Sequence, residues 1–213
     1  MSDAYLIDEK RAILAAALPN VVFDGWSAKC LREATVAAGF EPAMALRVFP
    51  GGVIDLLELT IAEADRHMLD ALARIDLPKL KIRERIAMAI RLRLEAEAPH
   101  KEAVRRALAV LALPIHAGRA LKCLYRTVDA IWYAAGDTAT DFNFYTKRML
   151  LAGVYGATVI YWLDDKSADQ EATWSFLDRR IGDIMQIQKL RGRLAKLTEA
   201  WPDPAHFFRR RAS

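Results

Sequence analysis

The sequence is poor in the residues and motifs from which most catalytic and metal-binding sites are built. It has only two cysteines, Cys30 and Cys123, both in apolar helical contexts, and four histidines that stand singly. Two such cysteines favour reduced, buried thiols over a disulfide. No H-E-x-x-H, Walker A or G-x-G-x-x-G pattern occurs, so we expect no metal, no cofactor and no enzymatic activity. Glu63 and His67 lie one helical turn apart, a spacing that a solvated pair explains better than a metal site.

Long hydrophobic runs are also missing. No stretch of about 18 uncharged apolar residues occurs, so we expect no helix to span a bilayer. The N-terminus, "MSDAYLIDEKRAILAAALPN", is acidic and then amphipathic, unlike a signal peptide or an organelle transit peptide. These features predict a cytoplasmic location, with membrane contact only at the surface.

Helical periodicity dominates the sequence, and no segment alternates in polarity as a strand would. We therefore predict an all-α fold. Ser27 is a candidate N-cap, Gly39 a helix end, and Pro19 the end of the first helix. The expected helices lie at about 6–18, 26–40, 41–50, 53–75, 79–98, 100–113, 115–136 and 141–164, with a last one from about 171.

The N-terminal layout, "RAILAAALPNVVFDGWSAKCLREATVAAGFEPAMALRVFPGGVIDLLE", resembles the helix-turn-helix part of TetR-type repressors. That resemblance implies that the short third helix would enter the DNA major groove. From residue 33 to residue 64, however, Arg47 stands alone against five acidic residues. DNA affinity rests on neutralising phosphates, so we expect a TetR-like scaffold for which nucleic acid is an unlikely partner. We divide the chain into a helix-turn-helix-like part (1–50), a larger helical part for ligand binding and dimerisation (51–188), and a tail (189–213).

The positive charge of the chain lies in its tail. From Gln186 onward there are seven basic residues against two acidic ones, while the whole chain carries +4. A basic amphipathic segment with Trp201 and two phenylalanines beyond it is typical of an interfacial membrane binder. A packed last helix with a solvated basic end explains the pattern equally well. The candidate membrane-binding residues are Lys189, Leu190, Arg191, Arg193, Leu194, Lys196 and Leu197.

The segment "GDTATDFNFYTKR" places aromatic residues on opposite sides of one expected helix. Asp137 and Asp141 suit the start of that helix, where carboxylates meet free N–H groups. We expect Phe142 to face the core and Phe144 to face outward, with Tyr145 at the boundary. A core helix that is apolar nearly all round, or a dimer interface, is the alternative. The candidate partner-binding residues are Asp141, Asn143, Phe144, Tyr145, Lys147 and Arg148.

The stretch "DAIWYAAGDTATDFNFYTKRMLLAGVYGATVIYWLDD", followed by "TWSFLDRRIGDIM", resembles the Coq-nine family of ubiquinone-biosynthesis accessory proteins. The resemblance implies a dimeric TetR-like fold without DNA binding, an isoprenoid lipid in a hydrophobic pocket, and delivery of a quinone intermediate to the demethoxyubiquinone hydroxylase at the membrane. Phe144 and Tyr145 fall on the aromatic pair that the family uses for the hydroxylase, although many members have Trp in place of Phe144. Without the leader of eukaryotic members, the chain looks like a bacterial relative, peripheral to the inner membrane.

These observations predict a non-catalytic lipid-binding accessory protein. A ligand-responsive TetR-type transcriptional regulator is the alternative. A lipid tail needs a deep apolar cavity, and apolar helices around residues 131–132 and 154–162 could supply its walls. The candidate lipid-binding residues are Ile131, Trp132, Val154, Tyr155, Tyr161 and Trp162.

Overall fold

The computed structural model describes residues 6–136 and 142–184, apart from the side chains of residues 142–144. In this part of the chain all long elements are α-helices, which confirms the all-α prediction. The helices are α1 (Ile7–Asp24), α2 (Ala28–Ala37), α3 (Met44–Val48), α4 (Val53–Leu72), α5 (Ile82–Ala96), α6 (Lys101–Leu111), α7 (Ala117–Ala134), α8 (Phe142–Asp164) and α9 (171–184). Short 3₁₀ turns precede α5, α6, α7 and α9.

Helix α1 continues through Pro19, where we expected it to end. A proline inside a helix removes one hydrogen bond and crowds the preceding turn. Ala17 and Val21 are fully buried on either side of it, and this packing outweighs the local cost. The Asn20 side-chain amide also donates to the Ala16 carbonyl oxygen at 3.3 Å. The helix ends at Gly25, whose φ of 64° is the left-handed conformation that glycine adopts readily.

The caps of the next helices follow the sequence expectations. The backbone N–H of Cys30 donates to the Ser27 hydroxyl oxygen at 3.1 Å, so Ser27 is the N-cap of α2. Gly39 follows α2 with a φ of 86°. Gly52, also at positive φ, precedes α4, and the Asp55 carboxylate accepts the N–H of Gly51 at 2.6 Å. The turn between α3 and α4 therefore owes its shape to the two consecutive glycines.

The helices enclose two hydrophobic cores. The N-terminal core, which includes Ile13, Cys30 and Phe49, joins α1–α3 to the first half of α4 and to α6. The C-terminal core, which includes Ile90 and Trp162, joins the second half of α4 to α5, α7, α8 and α9. Helices α4 and α6 follow residue 50 in the sequence, yet both contribute residues to the N-terminal core. The division that we made at residue 50 therefore does not separate the two cores.

Helix α8 buries a different face from the one that we expected. Leu151 and Thr158 are buried, and helical spacing places them on the side of position 144, which we expected to face outward. Tyr145 and Met149, on the stripe of Phe142, are 64% and 77% exposed. Both faces are apolar, so periodicity could not rank them. The contacts of α8 with α5, α6 and α7 decide which face is buried.

Candidate functional site

A cavity of about 460 Å³ lies between the two cores. Helices α4 to α8 form its walls, with Leu18 and Trp26 contributed by the N-terminal part. Its volume lies within the range of small-molecule sites. Leu108 on α6 and Ile160 on α8 line the cavity and are also exposed, at 37% and 62%. The cavity therefore reaches the surface between α6 and α8.

Small residues at facing positions create this space. Ala103 and Ala107 lie one turn apart on α6 and both line the cavity. Ala64 on α4, Ala120 on α7 and Gly156 on α8 line it from the other sides. Protein interiors are normally packed to crystal-like density, so small side chains on four converging helices leave a gap that larger ones would fill.

Polar side chains meet in one part of the cavity, which we call the polar end. Arg93, Glu97, Thr127 and Tyr155 line it, and Asp65 lies behind them, bonded to Arg93 and Thr127. The Arg93 Nε donates to an Asp65 carboxylate oxygen at 2.8 Å, and the Thr127 hydroxyl donates to the same oxygen at 2.9 Å. The Arg93 guanidinium carbon lies 5.3 Å from the ring centroid of Tyr155, a cation–π distance. This network ties α4, α5, α7 and α8 together.

The polar end occupies only part of the cavity length. Leu57 also lines the cavity, and it precedes Asp65 on α4 by eight residues. A rise of about 1.5 Å per residue separates the two positions by about 12 Å. Over that distance the wall changes from leucine and alanine to charged and hydroxyl groups. The cavity can thus hold an elongated apolar molecule with one oxygen-bearing end.

Glu97 and Tyr155 have shifted pKa values at the polar end. Burial raises the pKa of the Glu97 carboxyl, although the nearby Arg93, His100 and His67 act in the opposite direction. Burial also raises the pKa of Tyr155, against the effect of Arg93. The Tyr155 phenol therefore remains a hydroxyl at neutral pH and can donate a hydrogen bond.

Of the six predicted lipid-binding residues, Tyr155 is the one that lines the cavity. Ile131, Trp132, Val154 and Trp162 are packed inside the C-terminal core. Tyr161 is 39% exposed and stacks on Phe176, with ring centroids 4.6 Å apart. As predicted, α8 forms one wall of the cavity. Besides Tyr155, however, the residues of α8 that line it are Gly156, Val159 and Ile160, which we had not named.

The lining residues that the sequence analysis missed are spread over α4, α5, α6 and α7, with α6 contributing the most. The alanines of α6 are spaced by four residues, which is a detectable signal for a small-residue face. Arg93 and Glu97 have the same spacing, which is typical of a solvated pair on a helix. Glu97 and His100 also form a Glu-x-x-His spacing. Within the described residues, no group of three His, Cys, Asp or Glu side chains could hold a metal ion.

The predicted partner-binding residues are only partly described. Asp141 and the side chains of Asn143 and Phe144 lie outside the described residues. Tyr145 is exposed, and Met149, one turn further, extends its apolar surface. The Lys147 ammonium lies 5.7 Å from the ring centroid of Trp132. Arg148 requires a correction: it is 5% exposed, since its Nε donates to Asp129 on α7 at 2.7 Å.

All seven candidate membrane-binding residues lie outside the described residues. Among the described helices, none by itself is long and apolar enough to cross a membrane. The segments Ala98–Leu111 and Pro114–Ala134 reach that threshold only as a pair, and they meet at a bend of 94°. Both segments wall the cavity.

The surface that would read DNA in a repressor is short of cations. Helix α3 exposes Leu46 and Arg47, of which only Arg47 could neutralise a phosphate. Asp55 and Glu58, which contribute to the acidic count, form ion pairs with Arg119 on α7. Glu63 pairs with Arg11 and Arg66. These ion pairs occupy its carboxylate, so Glu63 is not free to bind a metal ion together with His67. The scarcity of cations, more than an excess of free acid, therefore distinguishes this surface.

Comparison with known proteins agrees with these observations. The COQ9 family model matches residues 117–188. The mitochondrial ubiquinone biosynthesis protein COQ9 of Rattus norvegicus is 35% identical over 182 residues, covering 82% of this chain and 58% of that protein. COQ9-B of Xenopus laevis is 33% identical over 210 residues, covering 93% of this chain and 71% of that protein. The chain thus spans less than two thirds of the rat relative.

The fold has a counterpart among solved structures. A TetR transcriptional regulator from Nitrosomonas europaea superposes with a TM-score of 0.67 at 21% sequence identity, covering 81% of this chain and 95% of that one. At this identity the likeness concerns the fold alone. The chain belongs to the COQ9 family of ubiquinone biosynthesis proteins and has a TetR-like, all-α fold.

Proposed function

We propose that this protein is a non-catalytic accessory protein of ubiquinone biosynthesis that binds an isoprenoid quinone intermediate in the cavity between its two cores. The apolar cavity with one polar end is the observation that carries the proposal. Burying an isoprenoid tail against alanine and leucine side chains gains roughly 25 cal/mol per Å² of apolar surface. Membership of the COQ9 family supports the choice of a quinone-pathway lipid over other apolar molecules.

Mass spectrometry of organic extracts from the purified protein tests this proposal most directly. A co-purifying quinone or polyisoprenoid is the expected result. Gly156→Leu is the variant designed to block the cavity. A Cβ at this cavity-lining position meets no atom within 4 Å, and the rest of the leucine side chain would occupy the cavity. Gly153→Leu is the control, since its position on α8 is equally open but lies outside the cavity lining.

We expect Gly156→Leu to lose the bound lipid and Gly153→Leu to keep it. Replacing a glycine within a helix by leucine raises helix propensity and stabilises the folded state by up to about 1 kcal/mol. The thermal stability of both variants should therefore not fall. Equal lipid content in the two variants would contradict a ligand site in this cavity.

We propose that the demethoxyubiquinone hydroxylase docks on the exposed surface formed by Tyr145 and Met149. Exposed aromatic and methionine side chains are enriched at protein interfaces. Tyr145→Asp and Met149→Asp should abolish co-purification with the hydroxylase while the helical circular dichroism signal is retained. Leu46→Asp is a matched control, since it places the same charge on another exposed apolar residue. Hydroxylase binding that survives both α8 substitutions would disprove this docking site.

We also propose a homodimer that is peripherally associated with the inner membrane through the basic residues from Lys189 onward. Removing these residues should weaken sedimentation with anionic liposomes and leave the weak sedimentation with neutral liposomes unchanged. Unchanged sedimentation with anionic liposomes would contradict the membrane role of the tail.

A further inference from the structure

We propose that Glu97 and Tyr155 select the head of the ligand: the polar end receives an uncharged, oxygen-bearing ring and rejects lipids that end in a phosphate or a carboxylate. This inference rests on the proposed lipid-binding function and adds the chemical class of the head group and the residues that read it.

Two polar side chains at this end lack hydrogen-bond partners among the described residues. The Glu97 carboxyl and the Tyr155 hydroxyl both line the cavity, and neither is bonded to another described residue. Tyr155 is 9% exposed and Glu97 is half-buried. Neither of their oxygens is among the fully buried, unpartnered polar atoms of the described residues, so both remain accessible from the open space of the cavity. A ligand oxygen placed between these two groups would supply the missing hydrogen bonds.

The available hydrogen-bond chemistry fits a quinone or a phenol. Tyr155 offers an O–H donor to a ring carbonyl oxygen. The carboxyl of Glu97 can donate when protonated and accept from a ring hydroxyl when ionised, and the raised pKa of Glu97 brings both forms closer to neutral pH. Both the oxidised and the reduced forms of a quinone ring can therefore be held.

The charges at the polar end do not favour an anion. Arg93, the cation that lines the polar end, is already held by Asp65 at 2.8 Å. Arg126 also approaches Asp65, with its Nε 3.8 Å from a carboxylate oxygen. Asp65 thus offsets the positive charge at the polar end. Glu97 is either neutral or negative, so it cannot attract an anionic head group. Arg93, His67 and His100 are close enough to act against the effect of burial on the pKa of the Glu97 carboxyl.

A set of ten-carbon isoprenoids that differ only in the head separates head recognition from tail burial. The set comprises ubiquinone with two isoprene units, geraniol, geranyl diphosphate and the hydrocarbon myrcene. Isothermal titration calorimetry with the full chain at pH 7.5 measures each affinity. We expect the quinone to bind at least tenfold more tightly than the hydrocarbon, and the diphosphate at least tenfold more weakly than the quinone.

Three variants assign this selectivity to named residues. Glu97→Leu removes the carboxyl and should weaken quinone binding about tenfold, the usual effect of one buried hydrogen bond, without weakening myrcene binding. Tyr155→Phe should have a similar but smaller effect. Glu97→Gln keeps a neutral hydrogen-bonding group, so quinone binding should stay within about threefold while diphosphate binding rises about tenfold.

Glu95→Gln serves as the control, because Glu95 lies two residues before Glu97 in the last turn of α5, is exposed and pairs with Arg91 at 2.7 Å. It should leave all four affinities unchanged. Thermal unfolding of each variant shows that the fold is intact.

The outcomes distinguish this inference from the proposed function. If Glu97→Leu and Tyr155→Phe weaken quinone and hydrocarbon binding equally, or if the diphosphate binds as tightly as the quinone, head selection at this site is refuted while lipid binding stands. If the unaltered chain binds none of the four ligands, the proposed lipid-binding function itself fails, and head selection fails with it.

Discussion

The two cores differ in how they treat buried polar side chains. Among the described residues of the N-terminal core, the buried polar side chain is that of Thr35, whose hydroxyl donates to the Leu31 carbonyl of its own helix at 2.8 Å. Beside the C-terminal core, Asp65, Arg93 and Thr127 form a network that connects three helices. A bond within one helix leaves the packing of helices free, whereas a network between helices fixes their positions. The fixed helices are the ones that wall the cavity.

Asp65→Ala should produce the largest effect of the comparison. It leaves the buried Arg93 without its carboxylate, and breaking a buried pair in this way costs about 3–5 kcal/mol. Thr35→Val removes a local hydroxyl from the N-terminal core and should cost about 1 kcal/mol or less. Urea unfolding followed by circular dichroism measures both free energies. Similar costs for the two variants would mean that the cores do not differ in this way.

Trp26→Phe tests a hydrogen bond that joins α6 to the rest of the N-terminal core. The Trp26 indole N–H donates to the Ala103 carbonyl on α6 at 2.9 Å, and this bond is buried. Its loss leaves that carbonyl unsatisfied and should lower the free energy of unfolding by about 1–2 kcal/mol. Trp174→Phe removes a similar bond to the Asp169 carbonyl that is exposed, so its cost should be clearly smaller. A larger cost for Trp174→Phe would contradict the assigned burial.

Glu97→Gln should stabilise the protein at neutral pH. Because burial raises the folded-state pKa of Glu97, the folded state favours the protonated carboxyl and loses stability as the pH rises from the unfolded-state pKa of about 4.3. Removing the ionisable group should therefore raise the melting temperature at pH 7. The gain should shrink as the pH approaches 4, where the carboxyl of the unaltered chain is protonated as well. A gain that is independent of pH would point to a cause other than ionisation.

Asp165→Asn should show the opposite pH dependence. Burial opposes ionisation of this carboxylate, but hydrogen bonds from Ser167 and Thr173 dominate and hold the pKa of Asp165 well below its usual range. The contribution of Asp165 to the free energy of unfolding is therefore present above about pH 4 and is lost as the pH falls further. We expect a loss of about 1 kcal/mol at pH 7, the usual value of a helix-capping bond, which disappears in acid. Urea midpoints at several pH values measure it.

The smallest effect concerns the surface around α3. We expect fluorescence anisotropy to show only weak DNA binding without sequence preference, because α3 exposes a single cation. Leu46→Lys should increase the salt dependence by about one unit in the logarithmic slope. Tight, sequence-selective binding by the unaltered chain would instead support a transcriptional regulator.

The sequence predicted the positions of most helices, but it did not predict which faces they bury. Ser27 and Gly39 mark the ends of α2 because capping is a local property, and the structure has both where expected. Pro19 was misread, since the burial of Ala17 and Val21 comes from neighbouring helices that are distant in sequence. Helix α8 is apolar on two faces, and contacts with α5 and α7 bury Leu151 and Thr158 in place of the stripe that we favoured.

The candidate site was even less accessible to sequence reasoning. Tyr155 was correctly named, yet four other candidates are packed in the C-terminal core, because an apolar residue in a filled core and one in a cavity wall have the same periodicity. Arg93 and Glu97 have the spacing of a surface pair. Only the arrangement of α4, α7 and α8 around them makes one a buried cation and the other a half-buried acid.

By itself, the sequence determined the helical class, the helix ends set by local capping, the family and the scarcity of cations at α3. These properties depend on residue types and on short spacings along the chain. The tertiary structure alone decided that small residues of four helices face one another, and that Asp65, Arg93, Glu97 and Tyr155 meet at one end of the resulting cavity. A cavity is defined by the side chains that fail to fill the space between helices, and that space exists only when the helices have packed.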